Sequence, residues 1–163
     1  MSQSDHMTDR VALPLGLLSN LLPVLDGVYV HAQAPMMRPI GPGPYRALID
    51  TGASHSWVKP HVGDLLQPHS LEGYIVDWGD GIEENAGLEV KTGFMKGLTG
   101  KPVHGWVQLD PRLPAIGILL LSGDLDAPVD LVIGVDIMRS FLQCGVLFRG
   151  VEGASALALE FNV

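Results

Sequence analysis

Glycine and proline interrupt this sequence so often that long helices are not expected. Of its 163 residues, 20 are glycine and 12 are proline, and these two residue types most often end or turn a regular element. Short apolar runs lie between them, which favours many short strands joined by tight turns. The length suits one hydrophobic core rather than two. We therefore predict an all-β barrel or sandwich with one short helix after Gly134.

Composition narrows the class of protein. Hydrophobic residues make up 47% of the chain and charged residues 17%, proportions typical of a folded globular domain. The formal net charge of −8, without a cluster of lysine and arginine, argues against nucleic acid as a partner. No apolar run approaches the ~18 residues that a membrane helix needs, and Asp5 and Asp9 are untypical of a signal peptide. We expect a cytoplasmic protein with no membrane partner.

We expect residues 1–14 to form an N-terminal extension, in part a cloning remnant ending near His6-Met7, and residues 15–163 to form a single domain. Cys144 is the only cysteine, so no disulfide can form within the chain. It lies in an apolar segment, Phe141–Phe148, where a buried, unreactive thiol is the simpler interpretation. A nucleophilic role would also need a histidine beside it, and the sequence places none there.

One stretch combines an apolar run with a carboxylate. In Ala47–Ser54 the apolar residues lead directly into Asp50, and Thr51, Gly52 and two small residues follow. We expect a buried strand that delivers Asp50 to its end, where Gly52 lets the backbone turn sharply. A carboxylate at a half-buried turn is a candidate for acid–base catalysis. The alternative is an ordinary strand-ending turn in which the aspartate side chain accepts a local hydrogen bond.

The segment Leu48–Ser54 resembles the active-site segment of aspartic proteases, most closely the short, single-domain retroviral (retropepsin-like) type. That family has a second signature near its C-terminus, two apolar residues and a glycine that lead into a short helix, and Leu131–Met138 resembles it. The resemblance extends roughly from Leu22 to Phe161, although only the two motifs are specific. It implies a retropepsin-like acid-protease barrel with one short C-terminal helix, active as a two-fold homodimer.

The resemblance also assigns roles. Proteases of this type use two aspartates, whereas this chain has a single Asp-Thr-Gly. Asp50 would therefore be the catalytic residue of each subunit, and a symmetric dimer would supply the pair. The partners implied are a second copy of the chain and a peptide or protein substrate, with no metal and no cofactor. The residues implied to support the site are Thr51, Gly52, Ala53, Ser54, Ile133 and Gly134.

The sequence departs from the viral pattern in two places. Viral members often have an arginine after the C-terminal glycine, paired with an acidic residue two positions beyond the motif glycine. Here those positions hold Val135 and Ser54, so that ion pair is missing. The terminal strands that viral enzymes interleave at their dimer interface are not recognisable either. We therefore infer the dimer from the chemistry and not from an interface pattern.

A hairpin is predicted over Tyr74–Glu84, because an Asp-Gly pair lies between two strand-like runs. Its position after the Asp-Thr-Gly motif resembles that of the flap, the hairpin that closes over substrate in this family. The residues that the resemblance places in the substrate-binding flap are Trp78, Gly79, Asp80 and Gly81. An ordinary meander turn is the alternative, and Asn85–Gly87 is a second candidate tip.

Other chemistries are less well supported. The spacing of His55, His61 and His69 matches no zinc site, Gly97–Pro102 lacks the residues of a phosphate loop, and no Gly-x-Ser-x-Gly is present. We therefore favour an aspartic endopeptidase. One alternative is a catalytically silent domain of the same fold that acts as a dimerisation or peptide-binding module. The other is an unrelated all-β ligand-binding barrel in which Asp-Thr-Gly is only a turn.

Overall fold

The computed structural model describes residues 7–18, 22–33, 37–66, 82–85, 89–92, 99–125, 127–148 and 155–162. Strands predominate in these ranges. Two short helices are present, α1 (Pro60–Gly63) and α2 (Val135–Met138), and a 3-10 turn over Asp64–Leu66 follows α1. The strands are β1 (Thr8–Leu17), β2 (Pro23–Gln33), β3 (Met37–Pro39), β4 (Tyr45–Ile49), β5 (Trp57–Val58), β6 (Ile82–Asn85), β7 (Glu89–Thr92), β8 (Thr99–Gln108), β9 (Ile116–Ser122), β10 (Leu131–Ile133), β11 (Gln143–Leu147) and β12 (Ser155–Asn162).

Six of these strands close into a barrel. In order around the ring they are β2, β4, β10, β5, β9 and β8, and the pairing of β8 with β2 completes the circle. The pairs β4–β10 and β5–β9 are parallel, and the other pairs are antiparallel. The prediction of an all-β barrel with a short helix after Gly134 is confirmed.

Aliphatic side chains fill the interior of the barrel. Val30, Val58, Leu120 and Leu131 are fully buried, and burying such a side chain stabilises a fold by about 1.5–3 kcal/mol. Ile137 of α2 is also fully buried and belongs to the same core. The helix that follows Gly134 is therefore anchored on the barrel by its apolar side, despite its length of one turn.

A second apolar layer lies on the opposite face of the same strands. Its members occupy matching positions on five adjacent strands and are Val24, Leu48, Val132, Trp57 and Leu121. Side chains alternate between the two faces of a strand, so the side chain two residues after Leu48 comes out on this same face. That side chain belongs to Asp50, and the barrel thus presents its carboxylate beside an apolar layer.

The two ends of the chain form an antiparallel sheet beside the barrel. β12 pairs with β1 on one side and with β11 on the other, and β1 continues into the barrel through its pairing with β2. Residues 8–14, which we expected in an N-terminal extension, form the first part of β1 and pair with β12. This sheet holds both ends of the described chain against the barrel.

Gly27 does not separate two strands. The sequence predicts a break there before a strand at Val28–Val30, whereas β2 runs through it. Gly27 has a φ of 87°, and the register between β2 and β4 shifts between Leu25 and Val28. The glycine thus accommodates a β-bulge inside one strand.

The predicted flap residues Trp78–Gly81 lie outside the described residues. Within them, β6 and β7 pair as an antiparallel hairpin, with Asn85 opposite Glu89. Residues 86–88, which join the two strands, lie outside the described residues, and so does most of the second predicted tip, Asn85–Gly87. Along the described part of the chain, no helix has the length and apolar character needed to cross a membrane.

Candidate active site

The site is built where the chain crosses the end of a barrel strand. The Asp50 N–H donates to the Ile133 carbonyl at 3.0 Å, which continues the pairing of β4 with β10. The chain then passes over the end of β10 and returns on its far side as β5, which is also paired with β10. We call residues 50–56, which make this crossing, the Asp50 loop.

The first turn of the Asp50 loop is closed by two hydrogen bonds to Asp50. The Gly52 N–H donates to Asp50 Oδ1 at 2.9 Å, and the Ala53 N–H donates to the Asp50 carbonyl at 3.2 Å. Thr51 and Gly52 are exposed, and Asp50 is half-buried. The turn therefore holds the carboxylate at the molecular surface. The side-chain bond is the one expected of an ordinary strand-ending turn as well as of a catalytic one.

Gly134 lies directly beneath the Asp50 loop. A Cβ atom at this position would lie 2.6 Å from the Ala53 carbonyl oxygen and 2.9 Å from that of His55, closer than real Cβ atoms come. The next residue, Val135, donates its N–H to the same Ala53 carbonyl at 2.8 Å. The structure thus brings the two sequence motifs into backbone contact, and the contact requires the missing side chain of glycine.

Ser56 and Asp136 form a second link between the motifs. Ser56 is completely buried, and its hydroxyl donates to Asp136 Oδ1 at 2.6 Å and accepts the Gly134 N–H at 2.8 Å. The Ser56 N–H donates to Asp136 Oδ2 at 2.9 Å. Ser56 was not identified from the sequence. The sequence did offer one signal, since Ser56 directly precedes the apolar strand Trp57-Val58. A serine buried with such a strand needs a hydrogen-bond partner for its hydroxyl.

The remaining predicted site residues lie around this turn. Ala53 is half-buried and Ser54 is exposed, with Ser54 Oγ 3.1 Å from Nδ1 of His55. Ile133 is fully buried in the barrel core. The structure thus brings together Asp50, Thr51, Gly52, Ala53, Ser54, Ile133 and Gly134. It does not describe Trp78, Gly79, Asp80 or Gly81.

Metal and thiol chemistry find little support in the described residues. No group of three or more histidine, cysteine, aspartate or glutamate side chains in those ranges could hold a metal ion. His61 instead places Nε2 2.8 Å from Oδ1 of Asp130. Burial raises the pKa of the Cys144 thiol to about 11, so this cysteine is protonated at neutral pH and is a poor nucleophile.

The fold has a counterpart among solved structures. A crystal structure of a retropepsin-like aspartic protease from Rickettsia conorii aligns with 100% of this chain and 99% of its own, with a TM-score of 0.55 and 12% sequence identity. No family model matches the sequence, and no curated protein matches it significantly. The similarity confirms a retropepsin-like barrel, and at this identity it concerns the fold alone.

Proposed function

We propose that this protein is an aspartic endopeptidase in which two copies of the chain each contribute Asp50. The observation that carries the proposal is the contact between the two motifs. The Asp50 loop crosses the end of β10 on top of Gly134, at a distance that only glycine allows. In a barrel of this type, the arrangement holds one carboxylate at the surface, where a partner can reach it.

The second carboxylate has to come from a partner copy. The other aspartate of the two motifs, Asp136, already accepts hydrogen bonds from Ser56 and from the Ile137 N–H. Its carboxylate is thereby committed to holding the Asp50 loop. A two-fold axis beside the loop would bring Asp50 against its own copy.

Two adjacent carboxylates can hydrolyse a peptide bond with water as the only co-reactant. Two like charges cannot easily share a site, so the pair holds one proton between them. The ionised Asp50 accepts a proton from water as the water oxygen attacks the peptide carbonyl carbon, and the protonated Asp50 donates its proton to the carbonyl oxygen. The carbon–nitrogen bond of the resulting diol then breaks as a proton passes to the nitrogen. Thr51 would form a hydrogen bond across the two-fold axis to the Asp50 loop of the other copy. The backbone of Gly52 would form hydrogen bonds with the main chain of the substrate.

The apolar layer supports a preference in the substrate. Leu48 and Val132 are neighbours in that layer and lie on the face of the barrel where Asp50 emerges. We expect apolar side chains next to the cleaved bond, because they would extend this layer. We assign the cover over the substrate to the segment that contains Trp78, Gly79, Asp80 and Gly81, which precedes the hairpin of β6 and β7.

The proposal is tested by peptide-library cleavage from acidic to neutral pH with the wild type and Asp50→Asn. We expect cleavage by the wild type and a loss of at least ~1,000-fold in the variant, since one member of the acid–base pair is gone. Asp26→Asn is the matched control, because Asp26 is an exposed carboxylate paired with Arg46 at 2.8 Å. It should cleave as the wild type does. Equal cleavage by wild type and a folded Asp50→Asn would refute the proposal.

A second candidate is a catalytically silent domain of the same fold that serves as a dimerisation or peptide-binding module. One observation favours it. Ser54 and Val135 stand at the two positions where viral enzymes often have an ion pair. A stable dimer that binds library peptides but cleaves none at any pH would establish this alternative.

A further inference from the structure

Ser56 lies in an unusual environment for a polar side chain. Among the side chains that the structure describes, only two polar or charged ones are buried, and Ser56, with no exposed surface, is the more deeply buried of them. A polar group is stable in such a place only when hydrogen bonds compensate for the water it has lost. The partners of Ser56 therefore indicate what the residue contributes.

The Ser56 hydroxyl is bonded twice, and both bonds lead to the second motif. It donates to Asp136 Oδ1 at 2.6 Å and accepts the Gly134 N–H at 2.8 Å. A hydroxyl can donate and accept at the same time, whereas an alanine side chain can do neither. Removal of the hydroxyl would therefore leave both the Gly134 N–H and one oxygen of Asp136 without this partner.

Three hydrogen-bond donors point at the Asp136 carboxylate. Oδ1 accepts the Ser56 hydroxyl and the Ile137 N–H, the latter at 2.8 Å, and Oδ2 accepts the Ser56 N–H at 2.9 Å. An ionised carboxylate suits this arrangement because both of its oxygens are acceptors. The amide of asparagine has almost the same shape, but its NH₂ group would meet one of the donors. The position thus requires the chemistry of aspartate and not only its volume.

These bonds complete the attachment of the Asp50 loop to the second motif. The loop is bonded to that motif at three points, spaced three residues apart. The points are Asp50 with Ile133, Ala53 with Val135, and Ser56 with Asp136. Of the three, only the last involves side chains, and it fixes the end of the loop that is farthest along the chain from Asp50. With both ends and the middle held, the turn that carries the carboxylate has little freedom to shift.

We propose that Ser56 and Asp136 are positioning residues that hold the Asp50 loop in the orientation that the catalytic pair requires. Viral members often link the same two motifs by an ion pair, and here Ser54 and Val135 stand at those positions. The buried hydroxyl–carboxylate pair lies one or two residues further along each motif and links them in place of the ion pair. The inference rests on the proposed function, because it concerns the reaction in which Asp50 acts.

The pair acts on the reaction only through the loop. A catalytic group displaced by about 1 Å can lower the rate ~100-fold. A substrate can still bind when the carboxylate is slightly misplaced, so the loss is expected in kcat and not in KM. This division distinguishes positioning from a purely structural role, which would lower the stability of the protein and leave the kcat of its folded fraction unchanged.

The test is the measurement of kcat and KM for a cleaved peptide, at protein concentrations where the dimer is complete, with the wild type, Asp136→Asn and Ser56→Ala. We expect each variant to lower kcat ~10–100-fold and to change KM less than about threefold. Ser140→Ala is the matched control, since Ser140 is exposed and its hydroxyl donates to the Asp136 carbonyl at 3.3 Å. It should retain both constants. A folded Asp136→Asn with the kcat of the wild type would overturn the proposal.

A double-mutant cycle tests whether the two residues act as one unit. The double variant Ser56→Ala/Asp136→Asn should have nearly the kcat of the weaker single variant, because each change removes the same contact. Losses in kcat that multiply in the double variant would show that the residues act separately and would overturn the pairing.

Amide hydrogen exchange separates this inference from the proposed function, because it needs no cleavage. The Val135 N–H donates to the Ala53 carbonyl at 2.8 Å and so reports whether the middle of the loop stays attached. In Ser56→Ala we expect its exchange to quicken at least ~10-fold relative to amides shared by β1 and β12, which would quicken equally only if the whole fold were destabilised. Faster exchange in a protein whose wild type cleaves nothing would reject the protease and support the fixing of the loop by the pair. Unchanged exchange at Val135 would overturn the inference whatever the wild type cleaves.

Discussion

Gly134 shows at the scale of a single residue why the two motifs depend on each other. Its sequence position was identified by resemblance, and the structure supplies the physical reason, which is the approach of the Asp50 loop to within 2.6 Å of an ideal Cβ. The atom it would meet is a backbone oxygen, which cannot rotate away as a side chain could. A side chain at position 134 would therefore force the backbone of the Asp50 loop to move.

Gly134→Ala is therefore expected to destabilise the fold by about 1–3 kcal/mol, the usual cost of overpacking a rigid site. Urea unfolding measures this change. Gly145→Ala is the control, because its new methyl group would point into open space and should leave the free energy of unfolding nearly unchanged. Equal stability of the two variants would contradict the close contact.

Cys144 allows a prediction from its ionisation. Burial raises the pKa of its thiol from 9.0 to about 11, so the unfolded chain loses this proton before the folded one does. The resulting stabilisation is present below pH 9 and is lost as the pH rises from 9 to 11. We expect the urea midpoint of the wild type to fall more steeply over this range than that of Cys144→Ala, which should also retain peptide cleavage. Parallel pH profiles would show that the thiol is not shielded.

The residues of the site differ in how far sequence could identify them. Asp50 and Gly134 each lie in a local pattern that can be read without knowledge of the fold. The bond between Ser56 and Asp136 joins residues 80 positions apart, and neither residue alone indicates that the chain will bring them together. Sequence thus located the carboxylate but not the pair that holds its loop.

At the scale of elements, the sequence predicted a strand that ends before Asp50 and a short helix after Gly134. Both are present, as β4 and α2. The exception at Gly27 has a physical cause. Glycine is equally suited to end a strand and to form a bulge inside one, and the pairing of β2 with both β4 and β8 decides between them.

Gly27 also offers a test of the bulge. Nothing lies within 4 Å of a Cβ atom placed there, but its φ of 87° is unfavourable for other residues. Gly27→Ala should cost about 1–2 kcal/mol in the free energy of unfolding for conformational reasons alone. Gly27→Asn should cost less, because asparagine tolerates positive φ. If urea unfolding shows alanine to be the milder change, the left-handed conformation is not present.

At the scale of the whole molecule, the strands form a retropepsin-like barrel that holds the Asp50 carboxylate at the surface, and in the proposed function a second copy completes the catalytic pair. The sequence indicated the barrel because strand patterns and two motifs point to the same fold. It did not indicate which apolar side chains would be exposed, because the exposure of Leu142, Leu147 and Phe148 depends on β11 lying at the end of the described strand order, which only the structure reveals. In the sequence, these three residues belong to an apolar segment that has the composition of a buried strand.

The most direct test of the central claim, that two copies of Asp50 form one catalytic pair, is a subunit-mixing titration. Wild type at a fixed concentration above its dimer dissociation constant is mixed with increasing Asp50→Asn, and cleavage of a saturating peptide is measured after the subunits have exchanged. We predict that a roughly ninefold excess of the variant leaves about one-tenth of the activity, because most wild-type subunits then face an inactive partner. The same excess of Asp26→Asn should not lower the activity. Wild-type activity that survives any excess of exchanged Asp50→Asn subunits would show that one chain acts alone and would contradict the account.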